Sequence, residues 1–184
     1  MPNSQPPFSS VMRQRNTFIC IAALAVLTAL ATPHAHAADL LIGMAETEIT
    51  PPDGFPIAGY FHERLATGQV DPLKAKAIVF RGDGQQAALV VCDLTGISAD
   101  LSTAVRTLVA ERTGIPAANI AVSASHSHTA PDYYKTLHKY LTDRQTDDAR
   151  SAYIPRLIDS IATAVEKASQ SASPVTLSSG VAHQ

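Results

Sequence analysis

The chain is poor in cysteine, has no surplus of positive charge, and lacks each short motif that would assign a chemistry by itself. Lys plus Arg number 14 against 16 Asp plus Glu, and no basic cluster is interleaved with aromatics. Nucleic acid is therefore excluded as an expected partner. No Gly-rich phosphate loop, His-Glu-x-x-His helix, Cys-x-x-Cys pair or Gly-x-Ser-x-Gly elbow occurs, so those nucleotide, metalloprotease, redox and serine-hydrolase signatures are missing. Internal repeats and low-complexity tracts are also missing. The 184 residues and ordinary apolar content suit one α/β-sized domain.

The scarcity of cysteine is sharpened by the N-terminus. Arg13 and Arg15 precede an apolar run from Thr17 to Ala31, and Ala35-His36-Ala37 offers the small-x-small pattern of a signal-peptidase site. The run is shorter than the roughly 20 apolar residues that a spanning helix needs. Residues 1–37 read as a signal peptide cleaved before Ala38, with Met12 as an alternative start and an uncleaved anchor as the alternative fate. Export to the periplasm or the medium is expected. Cys20, His34 and His36 leave with the signal, and the remaining Cys92 cannot form an intramolecular disulfide. Cys92 lies in an apolar strand and reads as a small core residue rather than a nucleophile.

In the mature part, Leu40 to Thr50 reads as a strand ended by the turn signal Pro51-Pro52-Asp53-Gly54. Phe55 to Asp71 is an irregular, Gly-containing loop, long enough for a functional role to be expected. Leu73–Arg81 and Gln86–Cys92 form a hairpin around Gly82-Asp83-Gly84, where positive φ is needed. Ala87 to Cys92 is apolar throughout, which predicts a strand buried on both faces. Ser98 to Arg112 carries a helical apolar stripe, with Ser98 as N-cap and Gly114 closing it. A strand follows at Ile120–Ser125, then a second amphipathic helix marked by Ile154, Leu157, Ile158, Ile161 and Val165. Val175 to Val181 reads as a last strand. The expected fold is α/β: a mixed β-sheet with helices packed on it. Because the chain stops just after a strand, it is expected to be the incomplete N-terminal portion of a larger catalytic domain, spanning 38–184.

Two histidines, His126 and His128, stand where the fourth strand hands over to a loop that stops at Pro131. In extended backbone, residues two apart share a face. The pair can therefore aim two imidazoles at one metal ion or one substrate carbonyl; two solvated loop histidines are the bland alternative. Zinc needs at least three protein ligands to be held firmly, and the further candidates are Asp93, His62, Asp132 and His183. Asp93 follows a strand, where α/β sheets place functional carboxylates, and a turn or helix cap is its structural alternative. His62 and Arg64 lie in the long early loop and could face the same edge; His138 reads as a surface residue. Ser125 and His126, adjacent on a strand, point to opposite faces and make a poor nucleophile–base pair.

Several segments then fall in a familiar order: Gly43-Met44-Ala45, Glu48-Ile49-Thr50-Pro51-Pro52, Gly59-Tyr60, Asp71 to Ala77, Cys92-Asp93-Leu94, and Ser125-His126-Ser127-His128-Thr129-Ala130-Pro131. Together they resemble the start of the neutral/alkaline (non-lysosomal) ceramidases, from Leu41 to about Val181, the histidine segment being the most specific. Members of that family are zinc amidases that cleave the N-acyl bond of ceramide to sphingosine and a fatty acid. The resemblance implies that His126 is a Zn2+ ligand and that His128 sits beside the metal, bonding the substrate or oxyanion as a catalytic residue. It also implies a lipid amide substrate and contact with a membrane surface; it leaves the oligomeric state open. The chain departs from the pattern at Val70, where the family often has His, and at Asp132-Tyr133-Tyr134, where many members continue with Gly. The family's second His, Glu and Tyr ligands lie beyond residue 184, and His183 does not match that second His. By this reading the chain alone binds zinc poorly and hydrolyses little. The alternatives are an exported metal-dependent hydrolase of another lipid or envelope amide or ester, and a non-catalytic module.

Overall fold

The computed structural model describes residues 40–134 and 146–182. The expected signal peptide, His138 and His183 lie outside the described residues. The strands are β1 (Leu41–Glu48), β2 (Lys74–Gly82), β3 (Gln85–Cys92), β4 (Ile120–Ala124) and a two-residue β5 (Ser173–Pro174). Helix α1 (Ala99–Thr113) and a short 3-10 turn (Ala117–Asn119) link β3 to β4, and α2 (Thr146–Gln170) precedes β5. The five strands run β4-β3-β2-β1-β5. β3 and β4 are parallel, and the other pairs are antiparallel. This is the mixed sheet with packed helices that the hydrophobic pattern predicts.

Local chemistry sets the boundaries. Asp83 (φ 51) and Gly84 (φ 71) both take the left-handed conformation that a tight β2–β3 hairpin demands. The Ser98 side chain accepts the Leu101 N–H at 3.2 Å, capping the start of α1. Gly114, at φ 74, returns its N–H to the Ala110 carbonyl and ends the helix.

The core lies between the helices and one face of the sheet. Ala75, Ala77 and Val79 from β2, and Ala88, Val90 and Cys92 from β3, alternate inward against Val105 and Val109 of α1 and Leu157, Ile161 and Val165 of α2. Small residues let α2 lie close on β1. A Cβ placed on Gly43 would collide with the Ala168 carbonyl oxygen, and Thr47 donates its hydroxyl to the Ser160 carbonyl at 2.7 Å. Burial pushes the Cys92 thiol up to about 12, with the Asp93 charge adding to the shift. Cys92 is a core residue with no thiolate character at neutral pH.

Two expectations are corrected. β3 is buried on one face only: Leu89 and Val91 are 40% and 37% exposed. Among the described residues both helices pack on the same side, so the outer row Met44–Ile78–Leu89 faces outward. The strand expected at Val175–Val181 is not formed: residues 175–182 are irregular, and the two-residue β5 lies just before them at Ser173–Pro174. Its antiparallel pairing runs off the start of β1: Val175 donates to Leu40, and further pairing would need residues before the described ones.

Gly43→Ala is expected to destabilise the fold by about 2 kcal/mol, because a methyl group there meets helix backbone rather than a side chain that can rotate away. Urea unfolding followed by circular dichroism checks this; an unchanged midpoint would show that α2 shifts freely on the sheet.

Candidate functional site

The parallel β3–β4 pair ends at one edge, with Cys92 opposite Ala124. Beyond it the two chains keep bonding as irregular segments: Ser125 donates to Cys92 at 2.9 Å and Ser127 to Leu94 at 3.1 Å. His126 sits between these bonds in the left-handed conformation, φ 62, which histidine tolerates better than most residues. The strand has already ended, so alternation along an extended chain is not what brings the two rings together. A single left-handed residue does so instead.

His126 Nδ1 lies 2.8 Å from the Thr95 carbonyl oxygen. A carbonyl only accepts, so Nδ1 carries the proton, and in the neutral ring Nε2 presents a bare lone pair. His128 Nε2 is 3.3 Å from that atom, with ring centres 4.9 Å apart and planes at 66°. With His126 as the neutral Nδ1–H tautomer, its Nε2 has no proton to give, and His128 Nε2–H is then the donor. Both rings are exposed. The spacing also suits two imidazoles at one tetrahedral ion, since Zn–N bonds of about 2.05 Å put two ligand nitrogens about 3.4 Å apart.

The long early loop supplies the third side. Its legs are pinned: Ile57 donates to Arg64 at 2.8 Å, Ala66 to Phe55 at 2.8 Å, and Ala58 to Ala130 at 2.9 Å. Gly59, at φ 95, leaves room for the His128 ring; a Cβ there would come within 2.5 Å of the ring Cγ. Tyr60 meets His128 edge-on at 6.2 Å between ring centres and His62 at 5.8 Å. The Arg64 guanidinium stacks 3.7 Å over the Tyr60 ring and donates to the His128 carbonyl at 2.7 Å.

The other sequence candidates fall away from the pair. Asp93 turns its carboxylate to structural work, accepting the Lys74 N–H at 2.9 Å and the Ser125 hydroxyl at 3.2 Å. It therefore fastens β2 to the histidine loop. Asp132 is buried and ion-paired with Arg150 at 3.1 Å, while Arg150 Nε also donates to the Asp132 carbonyl at 2.7 Å. A carboxylate so engaged is an anchor for the loop after His128 rather than a ligand. Ser127 bonds Thr129 rather than an imidazole, and among the described residues neither ring of the pair has a serine partner. Among the described residues no group of three or more His, Cys, Asp or Glu is placed to hold a metal ion. Beside the histidine loop, a cleft of about 820 Å³ is lined by Asp71, Asp93, Thr129, Arg156 and the exposed Val70; the histidines do not line it. Thr95 and Arg150 were not singled out by the sequence pattern, and Gly59 was noted only as part of the Gly59-Tyr60 segment. Thr95 acts through its carbonyl, which no side-chain motif can encode, and Arg150 looks like any charge on a helix.

Among solved structures, the chain is similar to the neutral ceramidase from Pseudomonas aeruginosa, with a TM-score of 0.62 and 21% identity over 74% of this chain and 22% of that one. It is also similar to a ceramidase complexed with C2, at TM-score 0.58 and the same identity and coverage. No family model matches the chain, and no curated protein matches it. At that identity the likeness is one of fold: an α/β unit with the architecture of part of a ceramidase. The chain spans about a fifth of the length of the ceramidases it matches.

Arg150→Ala would remove the guanidinium from the buried Asp132 carboxylate and its carbonyl and is expected to cost about 3 kcal/mol. Thermal and urea unfolding check this; a loss near zero would mean that the pair does not anchor the loop.

Proposed function

We propose that this chain carries part of the active site of an exported zinc-dependent amidohydrolase whose substrate is a ceramide-like lipid amide. The observation that supports the reading best is the convergence of two exposed imidazoles, one of them fixed by a backbone carbonyl with its Nε2 lone pair outward. A carbonyl-oriented histidine of this kind is the usual supporting arrangement of a metal-bound imidazole. The donor chemistry fits zinc, and His126 Nε2 is the atom that would hold it. When bound, zinc supplies Lewis acidity toward an amide carbonyl and acidifies water at neutral pH.

The chain's own residues have separable tasks. The Thr95 carbonyl keeps the His126 proton on Nδ1, so the other nitrogen stays available. His128 Nε2–H, aimed at the same point, is free to turn its hydrogen bond to the oxygen of a bound amide as negative charge develops there. Gly59 and Arg64 hold His128 in place from the opposite loop. A firm site needs at least three protein ligands, so completing it takes groups from outside the described residues. The fold likeness to ceramidases supports an N-acyl lipid as the substrate class, and the N-terminal signal pattern supports export.

Zinc titration against a chromophoric chelator and hydrolysis of a short-chain fluorescent ceramide provide the test. His126→Ala is expected to weaken zinc binding at least about tenfold, since it removes a direct ligand, and, together with 1,10-phenanthroline, to abolish any turnover. Turnover that survives both treatments would contradict a zinc mechanism.

A further inference from the structure

The geometry points to Arg64 as the positioning residue for His128, acting through a guanidinium that only an arginine can supply. Its importance for turnover rests on the amidohydrolase reading above; its effect on the ring does not.

Arg64 forms no ion pair among the described residues. Its partners are two backbone carbonyls, His128 at 2.7 Å and Ala58 at 3.5 Å, and the face of Tyr60 at 3.7 Å. One planar group thus ties the base of its own loop to a residue far along the chain. Its Nε is buried with no hydrogen-bond partner among the described residues, so the guanidinium's hydrogen bonds there all run through its Nη2 edge.

The backbone bonds between the two loops hold residues on the far side of the histidine. Ala58 donates to Ala130 at 2.9 Å, Asp132 donates to Pro56 at 2.8 Å, and Ile57 bridges Pro131. Arg64 reaches back to His128 itself. Its bond fixes the peptide plane that follows His128, while the Gly59 backbone bounds the ring from the side. Together these set where His128 Nε2 lies relative to His126 Nε2. Lysine cannot reproduce the effect. An ammonium has no flat face to stack on Tyr60 while an edge N–H donates to a carbonyl.

The test is NMR of the metal-free full chain with 15N-labelled histidines, assigned with His126→Gln and His128→Gln. It reads the scalar coupling across the Nε2–H···Nε2 hydrogen bond between the two rings and, separately, the Nδ1–H of His126. The unsubstituted chain should show both. Arg64→Ala and Arg64→Lys should each lose the inter-ring coupling while His126 keeps its Nδ1 proton, because Thr95 still holds it; the amide spectrum of the sheet should be unchanged. Should the alanine variant fail to fold, the lysine variant, which keeps stem and charge, carries the same test. A coupling that persists in either variant, that is missing from the unsubstituted chain, or that disappears together with the His126 Nδ1 proton would overturn the assignment. Zinc affinity and turnover do not enter this readout, so failure of the metal reading and failure of the positioning role are told apart.

Discussion

The site depends on the parallel pairing of β3 with β4. Val90 opposite Val122 and Cys92 opposite Ala124 set a register that carries on past the strand ends through Ser125 and Ser127. That register puts the Thr95 carbonyl within hydrogen-bond reach of His126 Nδ1. A slip of one residue would turn every β4 side chain to the other face and leave the imidazole without its orienting partner. Parallel pairing also requires a crossover, and α1, capped at Ser98 and stopped at Gly114, supplies it. The helix ends, the strand register and the histidine tautomer therefore form one chain of cause.

Around that edge, polar groups act mainly as fasteners. The Asp93 carboxylate joins the start of β2 to Ser125. Arg150 reaches from α2 to Asp132, and Tyr133, its hydroxyl raised above its usual range by burial, donates to Gly96 at 2.9 Å and accepts from Ser98 at 3.0 Å. Each ties one loop to a different element of the sheet or helices. The two imidazoles are left as exposed, reactive-looking groups on a stiff mount, which is what preorganised chemistry requires.

Most of the fold could be read from the sequence, because its signals are local. The 3.6-residue stripes marked both helices, Asp83-Gly84 marked the hairpin, and Ser98 and Gly114 marked the ends of α1. The failures came where neighbours decide. Ala87 to Cys92 looks buried on both faces, but side-chain polarity cannot say on which side helices will pack. Val175 to Val181 alternates like a strand, but a strand needs a partner, and β1 offers only its first residues. At the site, the pairing of His126 with His128 was legible, whereas the reason for it was not. Strand alternation predicts convergence; the structure achieves it with a left-handed His126 and a carbonyl from another loop. Asp93 and Asp132 stood as candidate ligands, Asp93 with a structural turn or cap role as its alternative, because residue type is visible in a sequence and a hydrogen-bond partner is not.

On the proposed zinc reading, the Thr95 carbonyl holds the proton on His126 Nδ1 and leaves Nε2 for the metal. The most direct measurement is the 15N spectrum of the labelled His126 ring before and after addition of zinc. Nε2 is expected to shift strongly while Nδ1 remains protonated. A shift at Nδ1 instead, or a His126 ring that ignores zinc while other histidines respond, would contradict it.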